Sequence, residues 1–548
     1  MNRSILAIIA PLMLMPASVA AQETAPEIES IRREQLRADL FFLAGDAMRG
    51  RLTDTPENSM AAEYIKSRFE RLGLEPVGTD GSYFQEYDLS TATLGVGNRI
   101  EIISRGGSFS MKTGEGFYPL RFSARAQASG QLVFAGFGIV SPSRGHNDYK
   151  DFDLAGKVVL VMDHEPGERD PDSAFDGLVT SEAARNLRKA LMAQERGAVA
   201  VLFVSDIHNH PEPGDFERAT ARYWPSNPRR IERFTLATWV DRVRIPALQI
   251  SPEIAEMLLQ PTGESFADLA AAAEAEGGME PLAIPDREIS LTAAVNRHIV
   301  PDRNVVALLE GSDPALADEW VIISAHYDHN GADGERILNG ADDDGSGIVA
   351  LIEIAEAYAR AAEKGIRPRR SILFAAWNSE ERGLLGAWAY TEDPLNPLDR
   401  TVAVLNMDMV GRNEEVPAGE GRRFRGLEPQ TAESNNNSVN IMGYSYSPDL
   451  RRTIEMSNAD IGLKLKMTYD NNSSQLLRRS DQWPFLQNGV PAVFVHTGLH
   501  PDYHTENDVP DRINYEKMEK IARMVFQTSW TLAQADGRPQ FGQRATMF

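Results

Sequence analysis

The chain contains no cysteine. Disulfides, thiolate metal sites and cysteine nucleophiles are therefore excluded, and any metal must be held by His, Asp and Glu. Positive charge is also scarce: 56 Lys and Arg face 79 Asp and Glu, for a net charge of −23. Nucleic acid and anionic membrane surfaces are gripped by clustered basic side chains, which makes both unsuitable partners for this chain. Long apolar runs are lacking as well. The one N-terminal apolar stretch, residues 5–15, is interrupted by Pro11. It falls short of the roughly 20 residues that a spanning helix needs. Arg3 precedes it, and Ser18, Val19, Ala20 and Ala21 follow. A positive start, an apolar centre and a small-residue end mark residues 1–21 as a cleavable signal peptide. The protein is thus expected in the periplasm or secreted, with no membrane span.

What is present is an ordinary globular composition, 42% hydrophobic and 25% charged, over 548 residues. That length predicts two or three units. Apolar residues recur at helical spacing through 28–74, and Gly73 ends the run. From about 115 to 298 short apolar runs at 131–135, 157–162, 198–204 and 245–250 read as buried strands. Long polar stretches separate them. This region is expected to be a small α/β domain inserted into a larger one, with 22–114 and 299–548 forming the host. From residue 304 onward strands and helices alternate. Strands are expected at 321–325, 371–377, 402–409 and 491–495, and helices at 348–362, 450–461 and 515–533. Such alternation predicts an α/β three-layer sandwich with a mostly parallel central sheet.

The residues after each of these strands carry the chemistry. His326-Tyr327-Asp328-His329 follows the first, and Asp342-Asp343-Asp344 opens the next helix. Glu380-Glu381 follows the second, Asp408 closes the third, and Asp502 and His504 follow the last. Open α/β sheets bind ligands beyond the carboxyl ends of their strands. Buried carboxylates repel one another unless paired or metal-bound. Two divalent ions outweigh three ligand carboxylates and leave a net positive site, which favours two metals over one. A metal-bound imidazole commonly donates its other N–H to a carboxylate, and His326-x-Asp328 offers that pairing. Spacing does not choose among Asp342, Asp343 and Asp344.

His326-Tyr327-Asp328, the 340–347 Gly-Ala-Asp-Asp-Asp-Gly-Ser-Gly run, Glu380-Glu381-x-Gly-Leu, Asn406-Met407-Asp408 and His504-Thr505-x-x-Asp508 stand in the order of a known family. The chain resembles the M28 co-catalytic zinc peptidases over residues 304–533, and its insert is similar to a protease-associated (PA) domain. The resemblance implies two Zn²⁺ per chain. Asp343 would bridge them, with His326 and Asp408 completing one site and Glu381 and His504 the other. Glu380 would be the general base, and a cis peptide would join Asp343 to Asp344. The substrates implied are peptides or small proteins, cleaved by an exopeptidase.

Two departures bear on the oxyanion. Gln482 stands where relatives carry His, and Leu477 where some carry Tyr. Tyr469 and Arg479 are the candidate replacements. His329, His496 and His500 have no ligand role in the resemblance and are expected to line the pocket. His208-Asn209-His210 reads as a solvated loop. Within the family an aminopeptidase is the first reading, because surplus acid can hold an α-ammonium. A carboxypeptidase or dipeptidase is the second, with Arg478 or Arg479 gripping a carboxylate. A one-zinc glutaminyl cyclase or a non-catalytic binding protein fits less well, because no ligand is missing.

Overall fold

Continuous runs of Val, Ile, Leu and Phe build strands buried on both faces. In the computed structural model, which describes residues 24–212, 214–419 and 421–542, those runs form the centre of a nine-stranded sheet. The expected signal peptide lies outside the described residues. In chain order the strands are β1 (Phe84–Leu94), β2 (Thr235–Leu236), β3 (Val295–Leu309), β4 (Trp320–His326), β5 (Ser371–Trp377), β6 (Thr401–Met407), β7 (Ser438–Met442), β8 (Lys464–Lys466) and β9 (Ala492–His496). Their spatial order is β2-β1-β3-β5-β4-β6-β9-β7-β8. The four central strands, β5, β4, β6 and β9, are mutually parallel. Antiparallel pairings of β3 and β7 flank them.

Alternate residues of each strand face opposite layers. Val321, Ile323 and Ala325 pack into one core with the helices Arg33–Leu43, Pro56–Arg71, Gly347–Glu363, Pro448–Ser457 and Tyr515–Gln534. Ile322, Leu373, Val404 and Phe494 pack into the other with Leu385–Glu392 and Gln482–Gln487. The result is the three-layer α/β sandwich anticipated above. The helical pattern anticipated at 28–74 forms two helices, separated where Gly45 and Gly50 let the chain turn toward the sheet edge. Thr55 caps the second, accepting from the Asn58 amide at 3.3 Å, and Pro56 occupies its first turn, where the missing N–H costs nothing.

A second, eight-stranded sheet has a parallel core of Ala126–Phe134, Val158–Met162, Ala200–Val204 and Ala247–Ile250. Its strands start at Arg99 and end at Ala293, so the chain leaves the main sheet earlier than residue 115. Both crossings lie side by side. Leu94 pairs with Val295, and the Gly95 amide donates to Ala294 O at 2.9 Å. The signals for it are Gly95-Val96-Gly97-Asn98 at the crossing and Gly106-Gly107 at the hairpin that follows. Among the described residues no helix is long and apolar enough to cross a membrane.

Candidate metal centre

Each functional side chain leaves the carboxyl edge of the parallel core. His326 ends β4, Asp408 follows β6, and Glu380 and Glu381 follow β5. Asp342, Asp343 and Asp344 lie in the irregular turn Ala341–Ser346 that opens the helix Gly347–Glu363. The Asp343–Asp344 peptide is cis. His504 comes from the loop after β9 and holds a left-handed backbone with φ 57°.

Asp343 lies between two groups of potential donors. Its Oδ1 is 3.2 Å from His326 Nε2, and its Oδ2 is 2.9 Å from His504 Nε2. His326 Nε2 also lies 3.6 Å from Asp408 Oδ1. On the other side His504 Nε2 is 3.1 Å from Glu381 Oε1. His329 joins that second group, with Nδ1 2.8 Å from the same Glu381 oxygen and 3.7 Å from Asp343 Oδ2. The sequence reading gave His329 a lining role only. In the structure its ring is fully buried among donors, and the signal for it was its place one residue after Asp328.

The neighbours of Asp343 are occupied differently. Asp344 lies near His326 and Asp408, but its carboxylate accepts the backbone amides of His326, Gly347 and Met409 at 2.8–3.1 Å. Asp342 accepts from the Gly411 amide at 2.6 Å and faces His500 Nε2 at 3.2 Å. Asp508 accepts the amides of Asp342 and Asp343, fixing the turn from outside. Of the triplet, Asp343 alone has both oxygens turned to imidazoles of the two groups.

Asp328 stands beside His326 as anticipated, but meets it more closely through its backbone than through its carboxylate. His326 Nδ1 meets the Asp328 backbone oxygen at 3.1 Å, while the carboxylate stands 3.7 Å away. That carboxylate accepts the amides of Glu380 at 2.9 Å and Glu381 at 3.3 Å. It therefore holds the Glu-Glu turn while also facing the imidazole. The turn after β5 exposes two unpaired amides, and a buried carboxylate is the natural acceptor for them. Arg51, also unforeseen, is buried and donates to the carbonyls of Leu43, Tyr327, Asn339 and Gly340 at 2.8–2.9 Å. It joins the loop after β4 to the aspartate turn.

Glu380 and Glu381 are pushed apart in acidity. Burial raises the Glu380 carboxyl well above the usual range, and Asp408, Asp481 and Glu381 reinforce that against the pull of His326. Burial would raise Glu381 too, but His504 and His329 outweigh it and hold Glu381 well below the usual range. Adjacent carboxylates driven in opposite directions are the arrangement in which one stays an anion and the other exchanges protons. Asp481 adds a buried carboxylate with neither oxygen hydrogen-bonded. Of the oxyanion candidates, Tyr469 donates to Glu414 at 2.9 Å and accepts from Gln430, which keeps it out of the site. Arg479 does line the small cavity of about 30 Å³ beside Asp343, Glu380 and Asp408, together with His496 and Tyr503. Arg478 instead turns to Glu182 at 3.6 Å.

The donor set fits zinc. Nε2 of His326 and His504 and both ring nitrogens of His329 are buried without a hydrogen bond, although carboxylate oxygens lie close. Imidazoles and carboxylates aimed at a common point, with no sulfur, suit Zn²⁺.

Fold and donors define a class first: an α/β protein with a buried His–carboxylate cluster at the carboxyl edge of its sheet. The comparisons narrow it. Residues 304–529 match the model of peptidase family M28, and residues 128–229 match that of the PA domain. Over these residues the chain is similar to peptidase family M28 and to PA domains. It is similar to a probable glutamate carboxypeptidase of Arabidopsis thaliana, 30% identical over 49% of this chain and 35% of that protein. It is also similar to a probable zinc metalloprotease of Pyrenophora tritici-repentis, 28% identical over 43% of this chain and 58% of that one. The chain thus spans 35% and 58% of the lengths of these two curated relatives. Among solved structures, an aminopeptidase from Aneurinibacillus sp. strain AM-1 aligns over 94% of this chain and 96% of that one, at 17% identity and a TM-score of 0.47.

Proposed function

We propose that this chain is an exported exopeptidase with two zinc ions, held by His326 and Asp408 on one side and Glu381 and His504 on the other, with Asp343 shared. The observation that carries the reading is Asp343, with one carboxylate oxygen turned to His326 and the other to His504. Zinc bound there supplies Lewis acidity and lowers the pKa of water. The chain's own residues do the rest. Glu380, unbonded through its side chain and raised in pKa, accepts a proton from the attacking water and delivers it to the departing amine. Asp328 keeps Glu380 and Glu381 in place through their amides. Arg479 stands at the cavity wall, where it can face the developing oxyanion.

On this proposal the preferred substrate end is a free α-ammonium, since Glu380 at the cavity wall and the nearby Asp481 are carboxylates left over from the ligand set. A second reading, carboxypeptidase or dipeptidase, is favoured by one observation. A neighbouring cavity of about 460 Å³ reaches Glu381 and is walled by Arg121, Arg229, Arg233 and Arg382. Nε of Arg121, Arg229 and Arg382 is buried there without a partner. Four guanidiniums against Glu232 and Glu381 leave positive charge that suits a carboxylate.

The test is a panel of dipeptides with either end blocked, with and without chelator. Chelator-sensitive cleavage of C-amidated but not N-acetylated dipeptides supports the aminopeptidase. The reverse pattern supports the second reading. Cleavage untouched by chelator contradicts both.

A further inference from the structure

A separate donor group stands on the second sheet. Val158–Met162 and Ala200–Val204 are adjacent parallel strands, with Met162 opposite Val204. The loops leaving their carboxyl ends carry His164 and His210, at the edge where open α/β sheets place ligands. Glu168 lies between the two imidazoles. Its Oε2 is 3.0 Å from His164 Nδ1, and its Oε1 is 2.5 Å from His210 Nε2. The two rings face each other with centroids 4.2 Å apart.

His210 Nε2 is buried and makes no hydrogen bond despite that contact. The nitrogens of His326, His329 and His504 show the same combination in the metal centre: an oxygen close by, and no hydrogen-bond geometry. Ligands of one ion approach each other in this way, with lone pairs turned to a common point.

The loops are held by other bonds. The Asp206 carboxylate accepts the amides of His208 and Asn209, and the His210 amide donates to Asp206 O at 3.1 Å. Glu274 accepts from Asn209 at 2.6 Å and from the Gly167 amide at 2.7 Å, tying the two loops together. His164 takes a left-handed backbone, φ 67°, which turns its ring back toward the second loop. His208, by contrast, is exposed, so the solvated-loop expectation holds for it and not for His210.

We propose that His164, Glu168 and His210 form a further divalent metal site, independent of the catalytic centre. Two imidazoles and a carboxylate are donors for Zn²⁺ or a similar ion such as Ni²⁺. Both histidines are about 40% exposed, which leaves a coordination position open to water. An ion here joins the two loops. The first continues to Leu178 and Thr180, whose amides donate to Asn471 and Gln475 at 2.8 Å, beside the segment that carries Arg479.

The test uses the full chain and zinc alone. Protein is dialysed against micromolar Zn²⁺, and bound zinc per chain is measured for wild type, the double variant His164→Ala/His210→Ala, Glu168→Gln and His208→Ala. The double variant and Glu168→Gln are expected to lose about one zinc per chain, while His208→Ala loses none. Repeating the series on an Asp343→Ala background should give the same difference, which separates this site from the catalytic centre. Equal zinc in Glu168→Gln and wild type, or an equal loss from His208→Ala, would overturn the proposal. Glu168→Gln changes one atom and keeps the side chain's size, so it keeps the test valid should the double variant fail to fold.

Discussion

Replacing Glu380 by Gln isolates the proton step from everything that builds the site. The amide is isosteric, and the Glu380 backbone N–H keeps its bond to Asp328 Oδ1 at 2.9 Å. The nearest imidazole contact of the side chain, His326 Nε2, is 3.8 Å away, longer than any contact Asp343 makes to His326 or His504. Zinc content should therefore be unchanged. What is lost is a carboxylate able to take and return a proton. A positioned general base contributes roughly 100- to 10,000-fold, which is about 3–5 kcal/mol on the barrier. The assay is kcat on a dipeptide at saturating substrate, beside zinc analysis of the same preparation. A fall of that size with zinc retained is the expected outcome. Turnover within about threefold of wild type would refute the assignment, and loss of zinc would make Glu380 a ligand.

Three other consequences can be checked directly. Arg51→Met removes four hydrogen bonds to buried carbonyls and should cost about 3–5 kcal/mol of stability by denaturant titration. Its conservative partner Arg51→Lys should recover part of this, since an ammonium reaches fewer of the four. Burial, with Glu356 and Asp39 nearby, pushes the Glu353 carboxyl up to about 8. Between an ordinary value near 4.5 and about 8, the unfolded chain ionises this group while the folded one keeps its proton, so its effect on stability worsens as pH rises. Glu353→Gln should thus stabilise the protein at pH 8 by about 1–3 kcal/mol and leave it unchanged at pH 4. A gain of equal size at both pH values would contradict the assignment. For the arginine cavity, Arg233→Ala should raise KM about tenfold for dipeptides with a free carboxylate and leave their C-amidated forms unaffected, if carboxylates bind there. Equal effects on both substrates would remove the support for the carboxypeptidase reading.

The central sheet was legible because its strands are uninterrupted apolar runs, and burial on both faces leaves no other reading for Val321 to Ala325 or Ile372 to Ala376. The position of the donors was legible for the same reason: polar residues placed directly after such runs must lie at the carboxyl edge. The long strands β1 and β3 were not foreseen, because they bury one face only in part and carry Asp, Arg and His along their length. For the same reason the start of the second sheet was placed too late. Within the site, Asp342, Asp343 and Asp344 look alike in sequence. Their roles separate only in three dimensions, where backbone amides take up Asp344, and Gly411 and His500 take up Asp342. Arg51 lies far along the chain from the carbonyls it holds, and a lone Arg carries no sequence signal for that task. Asp328 was placed correctly beside His326, yet its carboxylate faces the amides of the next strand's turn, which no local spacing reveals.

The most direct measurement on the central claim is anomalous diffraction at the zinc edge from crystals of the zinc-loaded chain. Two peaks should flank the Asp343 carboxylate, one against His326 and Asp408, the other against Glu381 and His504. A single peak, or two that do not share Asp343, would contradict the account.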